Sequence, residues 1–195
     1  MREVFYEEAT VLLNEKGEVS KYNILKIVST LFFVLAFLWT IFILYWKTDI
    51  FSKGNIIFPI LAMVVPFVSF ILAGVFCLKA MNKVAVVYDY TFISGQIRIG
   101  KVVNNKKRFN VLDFETSQIE RVGPFGSKVY DRYALTPGVK KIFLTSNKIS
   151  HDDYEFYYFL VDTNKGKRLY VIECTKKFIL TVVTFSNKRI FEQGE

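Results

Sequence analysis

Histidine occurs once in this sequence and cysteine twice, and both scarcities restrict the chemistry open to it. His151 stands in SHDDYE beside Asp152 and Asp153, but no second histidine or usable cysteine completes a metal-binding set. The cluster reads as a solvated turn between strands. Cys77 falls inside a long apolar run and Cys174 in a strand-like run far along the chain, so no disulfide is expected. The patterns G-x-S-x-G, H-E-x-x-H and the phosphate loop are missing as well. GQIRIG, at 95–100, lies between two strands instead of opening a helix, so it is no nucleotide fingerprint. The expectation is a non-enzymatic protein with no catalytic residue, no metal and no cofactor.

Charge is also missing, over two long stretches. Ile27 to Trp46 gives 20 residues without a charged side chain, and Asn55 to Leu78 gives another 24. At 1.5 Å per helical residue, about 20 residues cross the ~30 Å hydrocarbon core. Each run is apolar all round and not along one stripe, which argues against a buried core helix. The first run follows 26 mostly polar residues and has no small-residue cleavage pattern, so a signal peptide is not expected. The reading is a hairpin of two transmembrane helices over 24–81. Pro66 removes one amide donor from the second helix and predicts a kink there, relieved by Ser69 or by the neighbouring helix. Neither run carries an ionisable residue at its middle, so the pair alone cannot line a polar path. Lys47 and Lys53 stand in the connecting loop, against Lys16, Lys21, Lys26, Lys79 and Lys83 at the other ends. That bias places both termini in the cytoplasm and makes a multi-pass protein of the cell membrane.

What the chain has in plenty is aromatic residues and positive charge. Phe occurs 20 times and Tyr 11 times, and the net charge is +8. Residues 84–195 hold 18 basic and 12 acidic side chains, hence +6 of that total. A basic excess next to a membrane points to anionic headgroups; no nucleic-acid motif collects the charges, so nucleic acid is not expected as a partner. Residues 1–23 form a short polar segment with an apolar patch at Val11–Leu13, too small for a core of its own. From residue 82 the pattern changes to period two. VAVVYDYTFI, QIRIGKVV and KRFNVLDF read as strands joined by Ser-Gly and Asn-Asn turns. The Gly- and Pro-rich stretch 115–138 reads as irregular with one short strand. KKIFLTS, YEFYYFLVD and KRLYVIEC are three more strands, the last two joined by TNKGK. Thr175 then caps a helix whose apolar face holds Phe178, Ile179, Val182, Val183 and Ile190. A domain of this size is expected to fold without the spans, over residues 84–191.

Six or seven antiparallel strands closed by one C-terminal amphipathic helix resemble a pleckstrin-homology (PH) fold. YDYTFISGQIRIGKVVNNKKR after the second apolar run, and RLYVIECTKKFILTVV at the end, resemble the bacterial PH-like membrane proteins. The chain is similar to a bacterial family of small two-span proteins without an established activity, and the resemblance covers roughly residues 24–191. It implies a PH-like bent antiparallel sheet or barrel capped by an α-helix, over 82–195, with the helical hairpin in front of it.

Two surfaces stand out. The basic turn NNKKR supplies Lys106, Lys107 and Arg108, with Lys101 nearby, and could meet anionic lipid. A PH-type phosphoinositide pocket draws on the turns joining its early strands, which the resemblance extends to this one. The other reading is a solvated hairpin tip. The aromatic run Tyr154, Phe156, Tyr157, Tyr158, Phe159 leaves both faces of one strand apolar. Tyr154, Phe156 and Tyr158 are then candidates for contact with a protein partner, the first residues of the chain or the bilayer interface. The alternative is a central strand covered on both sides by its own domain. The leading functional reading is a membrane-anchored interaction or scaffold module, and the second is anionic-lipid binding through 104–108.

Overall fold

The structure, a computed structural model, describes residues 4–50, 57–164, 166–186 and 189–192, with side chains for all of these except 46–50, 58 and 59. The chain forms two compact units, Met1–Leu13 with Val86–Glu195, and Asn14–Ala85. These boundaries differ from the sequence expectation of 1–23, 24–81 and 82–195. The N-terminal segment is split between the units.

Residues Phe5–Ala9 form strand β1 of the β-rich unit. Helix α1 spans Glu15–Ile50, starting well before the apolar run. Asn14 begins it by capping: its Oδ1 accepts the Gly17 N–H at 3.1 Å, and its carbonyl accepts the Glu18 N–H at 3.0 Å. Helix α2 spans Ile57–Met81 and continues through Pro66. In the turn that follows the freed Ala62 carbonyl, Ser69 Oγ donates to the Val65 carbonyl at 2.7 Å and Trp39 Nε1 to the Met63 carbonyl at 3.1 Å. Small residues let the helices approach. Ser29 Oγ donates to the Gly74 carbonyl at 3.0 Å, and the Phe33 ring fills the space a Cβ on Gly74 would take. Both helices are long and apolar enough to cross a membrane by length and composition, and only 11% and 6% of their apolar windows are buried inside the protein. The connecting loop at 51–56, with Lys53, lies outside the described residues.

In the β-rich unit the chain continues with β2 (Val86–Ile93), β3 (Gln96–Val103), β4 (Lys107–Glu115) and, after a 3-10 turn at Thr116–Gln118, β5 (Ile119–Pro124). Helix α3 (Lys128–Leu135) precedes β6 (Lys140–Phe143), β7 (Tyr154–Thr163), β8 (Gly166–Thr175) and helix α4 (Lys176–Ser186). The strands make two four-stranded sheets, in the orders β1-β2-β3-β4 and β5-β7-β8-β6. Both expected turns are present. Ser94 and Gly95 adopt φ of +44° and +98°, and Asn104 and Asn105 adopt +49° and +52°, the left-handed backbone of tight hairpins. Gly95 is required twice over, because a Cβ there would also stand 2.6 Å from the Phe185 ring.

Period-two alternation puts one face of each sheet inside. Tyr90, Phe92, Ile97 and Ile99 from the first sheet meet Tyr157, Phe159, Tyr170 and Ile172 from the second. Helix α4 closes this core with Phe178, Ile179 and Val182, all buried. Thr175 Oγ1 accepts the Phe178 N–H at 3.3 Å, so the expected cap is in place. Ile190 is buried too, but not on the helix. It lies past the end of α4, where its carbonyl accepts the Val122 N–H at 2.8 Å and Phe191 bridges to Val122.

Two features depart from an all-antiparallel sheet of six or seven strands. β1 adds an edge strand, with Phe5 to Ala9 paired antiparallel to Ile93 to Asp89. β6 pairs parallel with β8, because residues 144–153 carry the chain across the end of β8 before β7 begins.

Candidate functional site

The outer face of the second sheet decides the fate of the aromatic run. In register, Phe156, Tyr158 and Leu160 on β7 stand beside Glu173, Val171 and Leu169 on β8 and share this face. Helix α3 covers half of it. Ser127 caps α3 by accepting the Tyr130 N–H at 3.2 Å, and Tyr130 and Tyr133, one turn apart, then both pack on the Tyr158 ring. Tyr158 is 0% exposed, and its Oη donates to Glu192 Oε2 at 2.7 Å. It has no surface to offer a partner, which corrects the expectation for this residue: the covering layer comes from its own unit. Tyr154 donates from Oη to the Ala9 carbonyl at 3.2 Å and so fastens the first residues of the chain.

Phe156 differs. It lies past the end of α3, in the floor of an open groove of about 420 Å³ shared with Val171, Phe125 and Phe143. Phe125 and Phe143 are 39% and 53% exposed and stand edge to face, with ring centroids 6.0 Å apart. Thr145 to Lys148 form the polar rim. Three phenylalanines and Val171 make the apolar part of the groove, and the rim supplies its polar groups. The sequence reading found Phe156 and missed the rest. Phe125 lies in the stretch read as irregular, and Phe143 and Val171 lie in strands whose parallel pairing it did not foresee. Helix α3 beside them was not expected. Its signal was Ser127 followed by Tyr130, Tyr133 and Ala134 at helical spacing.

Behind the rim lies a buried carboxylate. Glu173 is 1% exposed and accepts from Thr145 Oγ1 at 2.7 Å and from Asn147 Nδ2 at 3.0 and 2.9 Å. Asn147 Nδ2 also donates to the Val11 carbonyl at 2.7 Å, and its Oδ1 accepts the Leu13 N–H at 3.4 Å. Glu8 makes a second tie, accepting the Thr175 N–H at 3.0 Å and Oγ1–H at 2.6 Å. Burial outweighs these donors and pushes the Glu8 carboxyl above the usual range.

The four predicted lipid ligands do not form one cluster. Lys101 stands across from Tyr88 and Phe109, on the face of the first sheet that turns inward further along. Arg108 projects to the opposite face, where Nη2 comes within 2.8 Å of Asp89 Oδ2 as an ion pair without a directed hydrogen bond. Burial raises the Asp89 pKa, Arg108 pulls it back down, and Glu7 adds to the rise. Arg108 therefore has a structural duty. Lys106 and Lys107 remain exposed at the tip, next to Phe109, which is 49% exposed. Register puts this tip beside Val86, since Val103 pairs with it. Thr10 is bonded to Tyr88 near the same end. Both links out of the β-rich unit, at 13–14 and 85–86, thus leave from the end that carries the basic turn.

His151 Nε2 lies 2.8 Å from Asp152 Oδ2, both exposed. Among the described residues no group of three His, Cys, Asp or Glu side chains is placed to hold a metal ion. Cys174 is fully buried in the core, and burial pushes its thiol well above the ordinary range.

A family model described as a bacterial PH-like domain, DUF6106, matches residues 3–192. The chain belongs to this family. The match starts ahead of β1 and ends at the last described residue, so the family takes in the N-terminal strand and both apolar helices as well as the β-rich unit. Its description names a fold and no activity. No curated protein and no solved structure matches the chain.

Proposed function

We propose that this protein is a membrane-anchored, non-enzymatic PH-like module that holds an interaction surface at the inner face of the cell membrane. The observation that carries the reading is the uncovered apolar surface of α1 and α2. Leu31, Phe37, Leu44, Leu72 and Phe76 are all more than half exposed, a cost in water that lipid removes. The lysine bias supports an orientation with both termini inside. Cysteine labelling in intact cells tests it, in a background carrying Cys77→Ser and Cys174→Ala. Ser52→Cys is expected to react with an impermeant thiol reagent. Asp152→Cys is expected to react only after the membrane is opened, because that position is exposed on the β-rich unit. The reverse pattern, or reaction at both sites in sealed cells, sinks the reading.

A second reading is supported by the basic tip. Lys106 and Lys107 sit at the end from which both chain links leave, and the link 82–85 reaches only ~14 Å when extended. Each lysine near an anionic surface is worth ~1 kcal/mol. In nanodiscs containing acidic lipid, tryptic cleavage after Lys106 and Lys107 is expected to be slower than in neutral nanodiscs, and salt should abolish the difference. Equal cleavage rates in the two lipids end this reading. Replacing Lys106 and Lys107 by Ser is expected to leave the melting temperature unchanged, whereas Arg108→Ser costs up to ~1 kcal/mol by removing the largely exposed cation that faces Asp89.

A further inference from the structure

We infer that the outer edge of β6, together with the aromatic groove beside it, is a docking site for an extended acidic peptide segment with apolar side chains at alternate positions. This names the partner chemistry of the interaction module and so rests on that reading.

Three observations converge on it. The first is an open sheet edge. β6 ends the order β5-β7-β8-β6, and no described strand pairs with its other side. Leu144 donates its N–H to the Val171 carbonyl at 2.8 Å, which fixes which residues face β8. Backbone groups alternate along a strand, so Leu144 and Ile142 point theirs at β8 while Lys141 and Phe143 point theirs outward. Those outward groups can receive a short added strand.

The second is what lies beside that edge. Phe143 presents its backbone to the edge and its ring to the groove, which Phe125, Phe156 and Val171 complete. Directly opposed residues on neighbouring strands point to the same face. An incoming residue opposite Phe143 therefore places its side chain at the groove mouth. Protective edge lysines alone would be a guard against pairing. An exposed aromatic cleft next to the edge is the opposite of a guard, and it gives the site a preference for large apolar side chains.

The third is charge. Lys140, Lys141 and Lys148 are exposed on and around this edge, and none of the ion pairs of the described residues uses them. That excess also selects the occupant. Pairing of two copies edge to edge would bring Lys140 and Lys141 of both chains together, which like-charge repulsion opposes. An acidic segment gains where a second copy loses.

The probe is a fluorescein-labelled peptide of alternating sequence EFEVEFE, titrated by anisotropy against the full chain in detergent micelles. Its counterparts are KFKVKFK and an EFEVEFE peptide N-methylated at alternate central residues. The acidic peptide is expected to bind at least tenfold more tightly than the basic one, and N-methylation should remove binding by blocking the strand pairing. Phe143→Asp is expected to lower affinity at least tenfold. Lys140→Glu with Lys141→Glu, at exposed positions that leave the core untouched, should reverse the preference between the two peptides. No binding, or binding indifferent to N-methylation or to the charge reversal, overturns the proposal. A photo-crosslinking residue placed at 143 or at 107 in intact cells separates this failure from that of the module itself. A protein adduct at 107 without peptide binding leaves the module and rejects this site; no adduct at either position, again without peptide binding, rejects both.

Discussion

Removal of residues 1–13 is expected to leave the β-rich unit without a cooperative thermal transition. Strand β1 supplies five residues of pairing to β2, and its loss opens a long sheet edge. Tyr6 packs its ring against Phe178 of α4 at 5.9 Å, and burying such a side chain stabilises by roughly 1.5–3 kcal/mol. Glu8 accepts two hydrogen bonds from Thr175, the cap of α4, and its loss leaves that N–H and hydroxyl without their partner, at ~1–3 kcal/mol. Together with the lost strand pairing these terms reach the lower part of the stability of an ordinary domain, about 5–15 kcal/mol. The fragment 84–191, which the sequence pattern alone suggests as the folding unit, is therefore expected to fail. A chain in which a short Gly-Ser linker replaces residues 14–85 should melt cooperatively, because both links leave the unit at one end. Circular dichroism melts of the two chains decide it. If 84–191 melts as sharply and as high as the linked chain, β1 is an accessory and not part of the fold.

The same strand shows where sequence reasoning reaches its limit. Strands β2, β3, β4, β7 and β8 were legible because alternation, β-branched content and turn residues all act within a few positions. FYEEA sets two aromatic residues and then two glutamates side by side, without the alternation of a strand, and its partner DYTFI lies beyond both apolar helices. Nothing local in five residues can report so distant a pairing. Helix α3 was hidden for a different reason. Gly126, Pro137 and Gly138 bracket it so closely that the stretch reads as loop, although the Ser127 cap and the tyrosine spacing were present. Missing α3 meant that Tyr158 looked available on an apolar face. The basic turn was found as a turn and misjudged as a cluster. The two-residue period sends Lys101, opposite Phe109, and Arg108, opposite Val102, to different faces, and Arg108 meets Asp89 from a strand further away.

Asn147→Leu is expected to cost about 3 kcal/mol, or a fall of roughly 10 °C in melting temperature for a unit of this size. The side chain touches Glu173 and the N-terminal segment at once. Removing it takes one donor from both Glu173 oxygens and leaves the buried carboxylate with Thr145 alone. It also strips the Val11 carbonyl and the Leu13 N–H of their side-chain partner, which loosens the docking of the segment behind β1. Part of the cost should vanish when the carboxylate is absent. In a Glu173→Leu background the second replacement no longer strands an acceptor, so Asn147→Leu should cost only ~1 kcal/mol there, a coupling of ~2 kcal/mol. Asn147→Asp should be worse than Asn147→Leu, since it sets a second carboxylate against the first in a site with no basic side chain bonded to Glu173 among the described residues. Chemical denaturation of the four chains of the cycle measures the coupling. Equal costs for Asn147→Leu in both backgrounds would show that Asn147 serves only as a latch on residues 11–13, and that Glu173 is held by Thr145 without it.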